Sequence, residues 1–284
     1  MNGVRNIALV GCSDPLPRQE KEDVARLKEQ LEAQGLSVSL SSLLLRETPA
    51  SPEEKAAEMN RAFRDPSVDA VFDVSGGDLA NTALPFLDFE AIGASRAMFY
   101  GFSDLTVIIN AIIARTGRPA VNYQIRNLLY RDAAAQQAFF SEKLLTGNLS
   151  LADLQPRFLR GESLHGKVYG GNIRCFLKLA GTPYWPEPDG GVLLLESLGG
   201  NAYQMTTALE QYRQMGVFDR IDGILLGTFT KMREERLTPT IEELVLSMTP
   251  SRVAVAVTSY VGHYPDARAV LLGADLFCCS GKAG

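Results

Sequence analysis

The sequence predicts an α/β protein, with a parallel sheet carried by its N-terminal part. Three observations lead there. Short continuous apolar runs such as Ile7-Ala8-Leu9-Val10 close on glycine or a turn residue, as buried strands do. Between them, apolar residues recur every three or four positions, the spacing of a helix with one buried face. In the first 75 residues these patterns alternate as strand, helix, strand, helix, strand. That order favours a parallel sheet covered by helices on both faces.

Residues 7–10 form the first expected strand, closed by Gly11, and Ser13-Asp14-Pro15 opens a loop. Over 18–34, Val24, Leu27 and Leu31 fall on one helical face, with Gly35 as the C-cap. Residues 36–40 alternate with serines as a second strand. Ser51-Pro52-Glu53-Glu54 starts a helix that runs to about 64: a cap, a proline at the first position and acids in the first turn. Residues 68–74 form the third strand. Ser75-Gly76-Gly77-Asp78 follows, and a helix is expected from 79 to the region of 85. The apolar run 97–100 then meets Gly101-Phe102-Ser103-Asp104, and 105–115 is helical until Thr116-Gly117-Arg118-Pro119 stops it. Residues 120–123 read as a short strand and 133–145 as a helix closed by Gly147.

From 148 to 166 the periodicity fades, which sets the expected division: an N-terminal unit over 1–150, a linker over 151–164 and a second α/β unit over 165–284. In the second unit Gly170-Gly171-Asn172 precedes an apolar helix over 173–179. A proline- and glycine-bearing loop with Trp185 follows. Residues 191–196 make a buried strand ending on Glu196. Then come a helix over 203–215, a strand over 223–227, a helix over 239–248 and a strand over 253–257. Gly262-His263 interrupts before strand character resumes at 269–272.

The composition is that of an ordinary globular chain, 46% hydrophobic and 21% charged. A formal net charge of −5 with no dense Lys/Arg run argues against nucleic acid as a partner. No apolar run approaches the ~20 residues that span a bilayer, so no membrane partner is expected. Four cysteines without a C-x-x-C pair read as reduced thiols, mostly buried, and two histidines make a histidine-based metal site improbable. With no secretion signal recognised at the N-terminus, the expected location is the cytoplasm. No metal and no cofactor is expected.

The chemistry concentrates at strand ends. Gly101-Phe102-Ser103-Asp104 has the strand, sharp turn and helix grammar of a nucleophile elbow, with Leu105 where the second glycine usually stands. The competing reading is a plain helix cap. Gly76-Gly77, one strand earlier, is either a simple turn or a nest of bared N–H groups. Together with the Asp104 N–H it would supply oxyanion donors at one sheet edge. Glu196 closes a three-leucine strand. It is either exposed there or paired, since a buried carboxylate needs a partner. His263, on a turn after an apolar strand, is the obvious partner, and His165 is the competitor. Ser103, Glu196 and His263 thus form a candidate triad, recognised by role rather than chain order.

These residues together resemble the LD-carboxypeptidases, also called muramoyltetrapeptide carboxypeptidases, whose branches include microcin self-immunity peptidases. The resemblance rests on Gly76-Gly77 with Asn81 and Leu84-Pro85-Phe86-Leu87-Asp88, on Gly101-Phe102-Ser103-Asp104-Leu105-Thr106, and on Gly170-Gly171-Asn172 with Leu179-Ala180-Gly181-Thr182-Pro183-Tyr184. It continues through Leu193-Leu194-Leu195-Glu196, Gly216-Val217-Phe218-Asp219 and Gly262-His263. It implies an N-terminal α/β domain, a smaller C-terminal α/β domain and an active site at their interface. It assigns Ser103 as nucleophile, Glu196 as the acid and His263 as the base, with the N–H groups of Gly77 and Asp104 as oxyanion donors. The implied reaction hydrolyses the bond between an L-centre and a C-terminal D-amino acid in murein-type tetrapeptides, within peptidoglycan recycling. The alternatives are hydrolysis of a peptidyl- or aminoacyl-nucleotide conjugate and, in another class, non-catalytic binding of a small ligand. Gly76, Arg174 as a reader of the terminal carboxylate, and Trp185 as a surface for a base, complete the expected substrate contacts. For Trp185 the packed loop anchor is the favoured reading over the stacking surface. A small peptide substrate is the expected partner, with a homodimer as candidate assembly. Asn122-Tyr123-Gln124 and the short segment after Leu198 depart from the family pattern where substrate contacts are expected.

Overall fold

In the computed structural model, which describes residues 3–46 and 48–280, the first apolar run forms β1 (Asn6–Val10). Its alternate residues face opposite ways, as a strand's period of two requires. Ile7 and Leu9 join one buried cluster with Val24, Leu27 and Leu31 of α1 (Arg18–Ala33). Ala8 and Val10 join another with Met59 and Phe63 of α2 (Pro52–Arg64). The sheet therefore carries a helix on each face. α2 starts with a full capping box: Ser51 Oγ accepts from the Glu54 N–H, and the Glu54 carboxylate accepts from the Ser51 N–H.

β2 (Ser37–Leu40) and β3 (Ala70–Asp73) pair in parallel on either side of β1. The short α3 (Phe89–Ala94) leads to β4 (Met98–Gly101), which pairs parallel with β3. α4 (Thr106–Thr116) ends at Gly117 in the left-handed region and returns the chain to β5 (Ala120–Asn122), parallel to β4. α5 (Ala133–Phe139) continues as a π-helical turn over Phe140–Leu144.

β6 (Arg157–Arg160) and β7 (Ser163–Asn172) open a second six-stranded sheet. Then follow α6 (Ile173–Leu177), β8 (Val192–Ser197), α7 (Ala202–Gln214), α8 (Val217–Arg220), β9 (Gly223–Phe229), α9 (Thr230–Glu234), α10 (Ile241–Met248) and β10 (Ala254–Val257). The run β7-β8-β9-β10 is parallel, and β6 closes one edge antiparallel to β10. β11 (Val270–Leu272) crosses back to pair antiparallel with β5 in the first sheet. β12 (Asp275–Cys279) then returns to the second sheet, antiparallel to β7. The C-terminal strands thus stitch the two sheets together.

The departures from the sequence reading have physical causes. The stretch 151–164, expected as a linker, carries a 3-10 turn over Leu151–Leu154 and the edge strand β6. None of the four β6 residues is fully buried, and two of them are arginines, so no apolar run marks the strand. β7 escapes the pattern because Gly166, Gly170 and Gly171 interrupt it. The segment expected as a helix from 79 is a 3-10 helix, Ala80–Phe86, with Pro85 inside. The strand expected at 269–272 is present, but it belongs to the first sheet although it lies in the range 165–284. The first two and last four positions of the expected unit ranges lie outside the described residues.

α4 joins the halves. All its positions from Thr106 to Ile113 are buried, because a helix apolar all round must be covered on every side. Its isoleucines pack in one cluster with Val168 and Leu193 of the second sheet and Phe176 of α6. Among the described residues no helix is long and apolar enough to cross a membrane.

Candidate active site

At the end of β4 the chain turns sharply, and Ser103 sits in the left-handed region at φ +57°. A non-glycine residue there costs on the order of 1–2 kcal/mol. The turn also forces a close approach: a side chain at Gly101 would place its Cβ 2.7 Å from Leu105 Cβ. Glycine at 101 relieves that contact, so Leu105 can fill the core where an elbow more often has its second glycine. Ser103 stays half-buried at the mouth of the turn, and the 3-10 turn Ser103–Leu105 leads into α4.

Two residues from the second half meet this serine. His263 Nε2 lies 3.1 Å from Ser103 Oγ, and His263 Nδ1 lies 2.8 Å from Glu196 Oε2. Glu196 ends the apolar run of β8 and is only 1% exposed. Its other oxygen, Oε1, has no partner among the described residues. A buried carboxylate with one polar partner fixes that partner's tautomer: Nδ1 carries the proton and donates to Glu196, leaving Nε2 to accept from the serine hydroxyl. The Phe102 ring tilts against the imidazole at 4.6 Å between centroids and holds its plane. The pairing expected between Glu196 and a histidine is therefore made by His263. His165 lies exposed on β7, opposite Phe277 of β12, away from this cluster.

The glycine turn after β3 is bound to the elbow. Asp104 is fully buried, and its Oδ2 accepts from Ser13 Oγ at 2.7 Å and from the Ala80 N–H at 2.8 Å. Lys178, just past α6, donates to Asp104 Oδ1 at 2.6 Å and to the Asp78 carbonyl at 2.8 Å. Gly77 stands at φ +126°, and the Asp14 carboxylate fills the space a side chain would take there. Asp14 Oδ1 accepts from the N–H groups of Asp78 and Leu79, which shapes the turn. Gly76, Gly77 and Asp104 thus lie on two turns cross-linked by one carboxylate and one ammonium. Burial acts against the Lys178 charge, but its bond to Asp104 wins and raises its pKa above the ordinary lysine value.

Arg174 is exposed on α6, two residues after Asn172, whose strand position is paired with Glu196. That places it at the same sheet edge, with its side chain facing solvent. Trp185 packs inward: its ring stacks on Phe176 at 4.3 Å between centroids. The loop-anchor reading of Trp185 is the one its contacts match. The sequence reading did not single out Asp14, Lys178 or Asn110. Their partners lie 60 or more residues away, and no local spacing signals them. All four cysteines are free, and Cys279 alone is exposed. Among the described residues no group of three or more His, Cys, Asp or Glu side chains is placed to hold a metal ion.

Comparison with known proteins identifies the family and the fold. The family model described as the LD-carboxypeptidase N-terminal domain matches residues 7–123, and that of the LD-carboxypeptidase C-terminal domain matches 165–276. A putative carboxypeptidase of Streptomyces coelicolor is 30% identical over 200 residues, covering 67% of this chain and 63% of that protein. A probable murein peptide carboxypeptidase of Bacillus subtilis is 26% identical over 289 residues, covering 96% of this chain and 88% of its own. In three dimensions the chain is similar to the microcin self-immunity protein MccF in complex with aspartyl sulfamoyl adenosine. The TM-score is 0.85 at 19% identity, over 98% of this chain and 94% of that one. The chain belongs to the LD-carboxypeptidase family.

Proposed function

We propose that the chain is a serine LD-carboxypeptidase that removes the C-terminal D-amino acid from murein-type tetrapeptides. The observation that carries the reading is the continuous line from Glu196 through His263 to Ser103, with contacts of 2.8 and 3.1 Å. Read as two domains divided near 151–164, the chain contributes Ser103 from the first and Glu196 and His263 from the second. The active site is then their interface.

In this mechanism His263 Nε2 takes the proton of Ser103 Oγ as the oxygen attacks the peptide carbonyl carbon. Glu196 holds the imidazole in its tautomer and stabilises the imidazolium. The carbonyl oxygen gains charge and is held by the N–H groups of Gly77 and Asp104. Each donor contributes about 3 kcal/mol to the transition state. His263 then gives its proton to the departing amine, the D-amino acid leaves, and water cleaves the ester on Ser103. Arg174, exposed at the same sheet edge, is the cation available to read the terminal carboxylate. The free cysteines favour a reducing compartment, the cytoplasm, where such an activity serves peptidoglycan recycling.

The test is release of the free D-amino acid from a murein tetrapeptide by the full chain, compared with hydrolysis of an aminoacyl sulfamoyl adenosine. Faster turnover of the tetrapeptide supports the reading. Turnover of the nucleotide conjugate alone would move the chain to the microcin-immunity reaction, and turnover of neither would leave a binding protein.

A further inference from the structure

Glu196 of the triad lies at the second sheet's carboxyl edge, at the end of β8. Further along that edge, the ends of β9 and β10 open onto a cavity of about 630 Å³ that none of Ser103, Glu196 or His263 lines. Open α/β sheets place ligands at the carboxyl ends of their strands, and the volume is that of a small-molecule site. Its apolar part comes from Phe229, Met232 and Val257, among others.

The charged part is one-sided. Arg157 of β6, Arg233 of α9 and Arg236 just beyond it all line the cavity, against one carboxylate, Glu242. The guanidinium groups of Arg157 and Arg236 have no hydrogen-bond or ion-pair partner among the described residues. The Arg233 guanidinium lies over the Tyr264 ring, 5.7 Å from its centre, and has no hydrogen-bond or ion-pair partner among the described residues. A buried group points the same way. Thr228 lines the cavity, is 5% exposed, and its hydroxyl has no partner among the described residues. Buried polar groups are normally satisfied. Three like charges around one concave, partly apolar surface focus a field that draws in anions. The planar guanidinium fork matches the oxygens of phosphate and carboxylate.

We propose that this cavity is a second ligand site, separate from the triad. Its ligand is a small molecule with an apolar or aromatic body and a phosphate or carboxylate group. The body lies on the apolar wall and the anionic oxygens meet Arg157, Arg233 and Arg236. The site does not depend on the hydrolase reading, since it uses none of its residues. It does adjoin the base: the Thr228 N–H donates to the Val261 carbonyl at 2.7 Å, two residues before His263.

Calorimetric titration of the full chain tests this with two anionic probes, adenosine 5′-monophosphate and N-acetylphenylalanine, and their neutral counterparts, adenosine and N-acetylphenylalaninamide. Saturable binding is expected for at least one anionic probe, about tenfold or more tighter than for its neutral counterpart. Binding of the phosphate alone would identify a nucleotide-type ligand, and of the carboxylate alone a peptide-type ligand. Arg157→Ala with Arg236→Ala weakens binding about tenfold or more, Glu242→Gln strengthens it, and Ser103→Ala leaves it unchanged. If the double variant does not fold, Arg236→Gln alone carries the comparison. The proposal is overturned if neither anion binds saturably, if binding ignores the arginine replacements, or if it is lost in Ser103→Ala.

Discussion

Asn110, midway along α4, exchanges two hydrogen bonds with the backbone of Gly170 on β7. Its amide nitrogen donates to the Gly170 carbonyl at 2.8 Å, and its amide oxygen accepts from the Gly170 N–H at 3.0 Å. One turn earlier, Thr106 Oγ1 accepts from the Asn172 N–H at 3.0 Å. α4 begins three residues after Ser103, and Asn172 is the register partner of Glu196. The nucleophile and the acid are therefore aligned by side-chain-to-backbone bonds between the halves, independently of their contacts with His263.

The clamp makes a first prediction. Asn110→Ala leaves a buried N–H and a buried carbonyl unpaired, which costs about 2–4 kcal/mol. Urea unfolding measures that loss. Because the alignment of Ser103 changes while the substrate surface does not, kcat falls and KM stays nearly constant. An unchanged kcat in a folded variant would show that α4 needs no such clamp.

Lys178 gives a second. In Lys178→Met the buried Asp104 carboxylate loses its cation, a loss of about 3 kcal/mol, the low end for a buried pair because Lys178 keeps some exposure. The glycine turn also loosens from the elbow, so acylation slows. The pKa of Lys178 is raised in the folded chain, and its unfolded value is near 10.4. Its contribution is therefore complete below about pH 10 and disappears as pH rises through the folded value. The stability difference between parent and variant should hold across neutral pH and shrink only in strong alkali.

Asp88 provides the acid-side counterpart. It caps α3 by accepting from the Ala91 N–H at 2.9 Å and pairs with Arg64. The Ala91 N–H first, and Arg64 second, hold its carboxyl below the usual aspartate value. Its contribution is present above about pH 4 and is lost as pH falls through the folded value. Thermal unfolding of Asp88→Asn should show a flatter acid limb than the parent and a lower midpoint at neutral pH.

Much of this arrangement was legible in the sequence, and the limits have a physical pattern. The elbow, Glu196 and His263 could be read because each follows an apolar run, and a polar residue at a buried strand's end stands out. The α2 cap could be read because its box is local. β7 could not, because three glycines break the apolar pattern that marks a strand. The return of β11 to the first sheet could not, since Val270-Leu271-Leu272 reads the same in either sheet. The Asp104–Lys178 pair and the Asn110 clamp join residues 74 and 60 positions apart. Each is an ordinary polar residue until the fold brings its partner close.

Mass spectrometry of the folded full chain after reaction with a fluorophosphonate tests Ser103 as the nucleophile most directly. One label is expected, on Ser103, slowed by saturating tetrapeptide and absent in His263→Ala, with release of the D-amino acid abolished in Ser103→Ala. A chain that still releases the D-amino acid after Ser103→Ala, or that never labels on Ser103 while hydrolysing substrate, would contradict it.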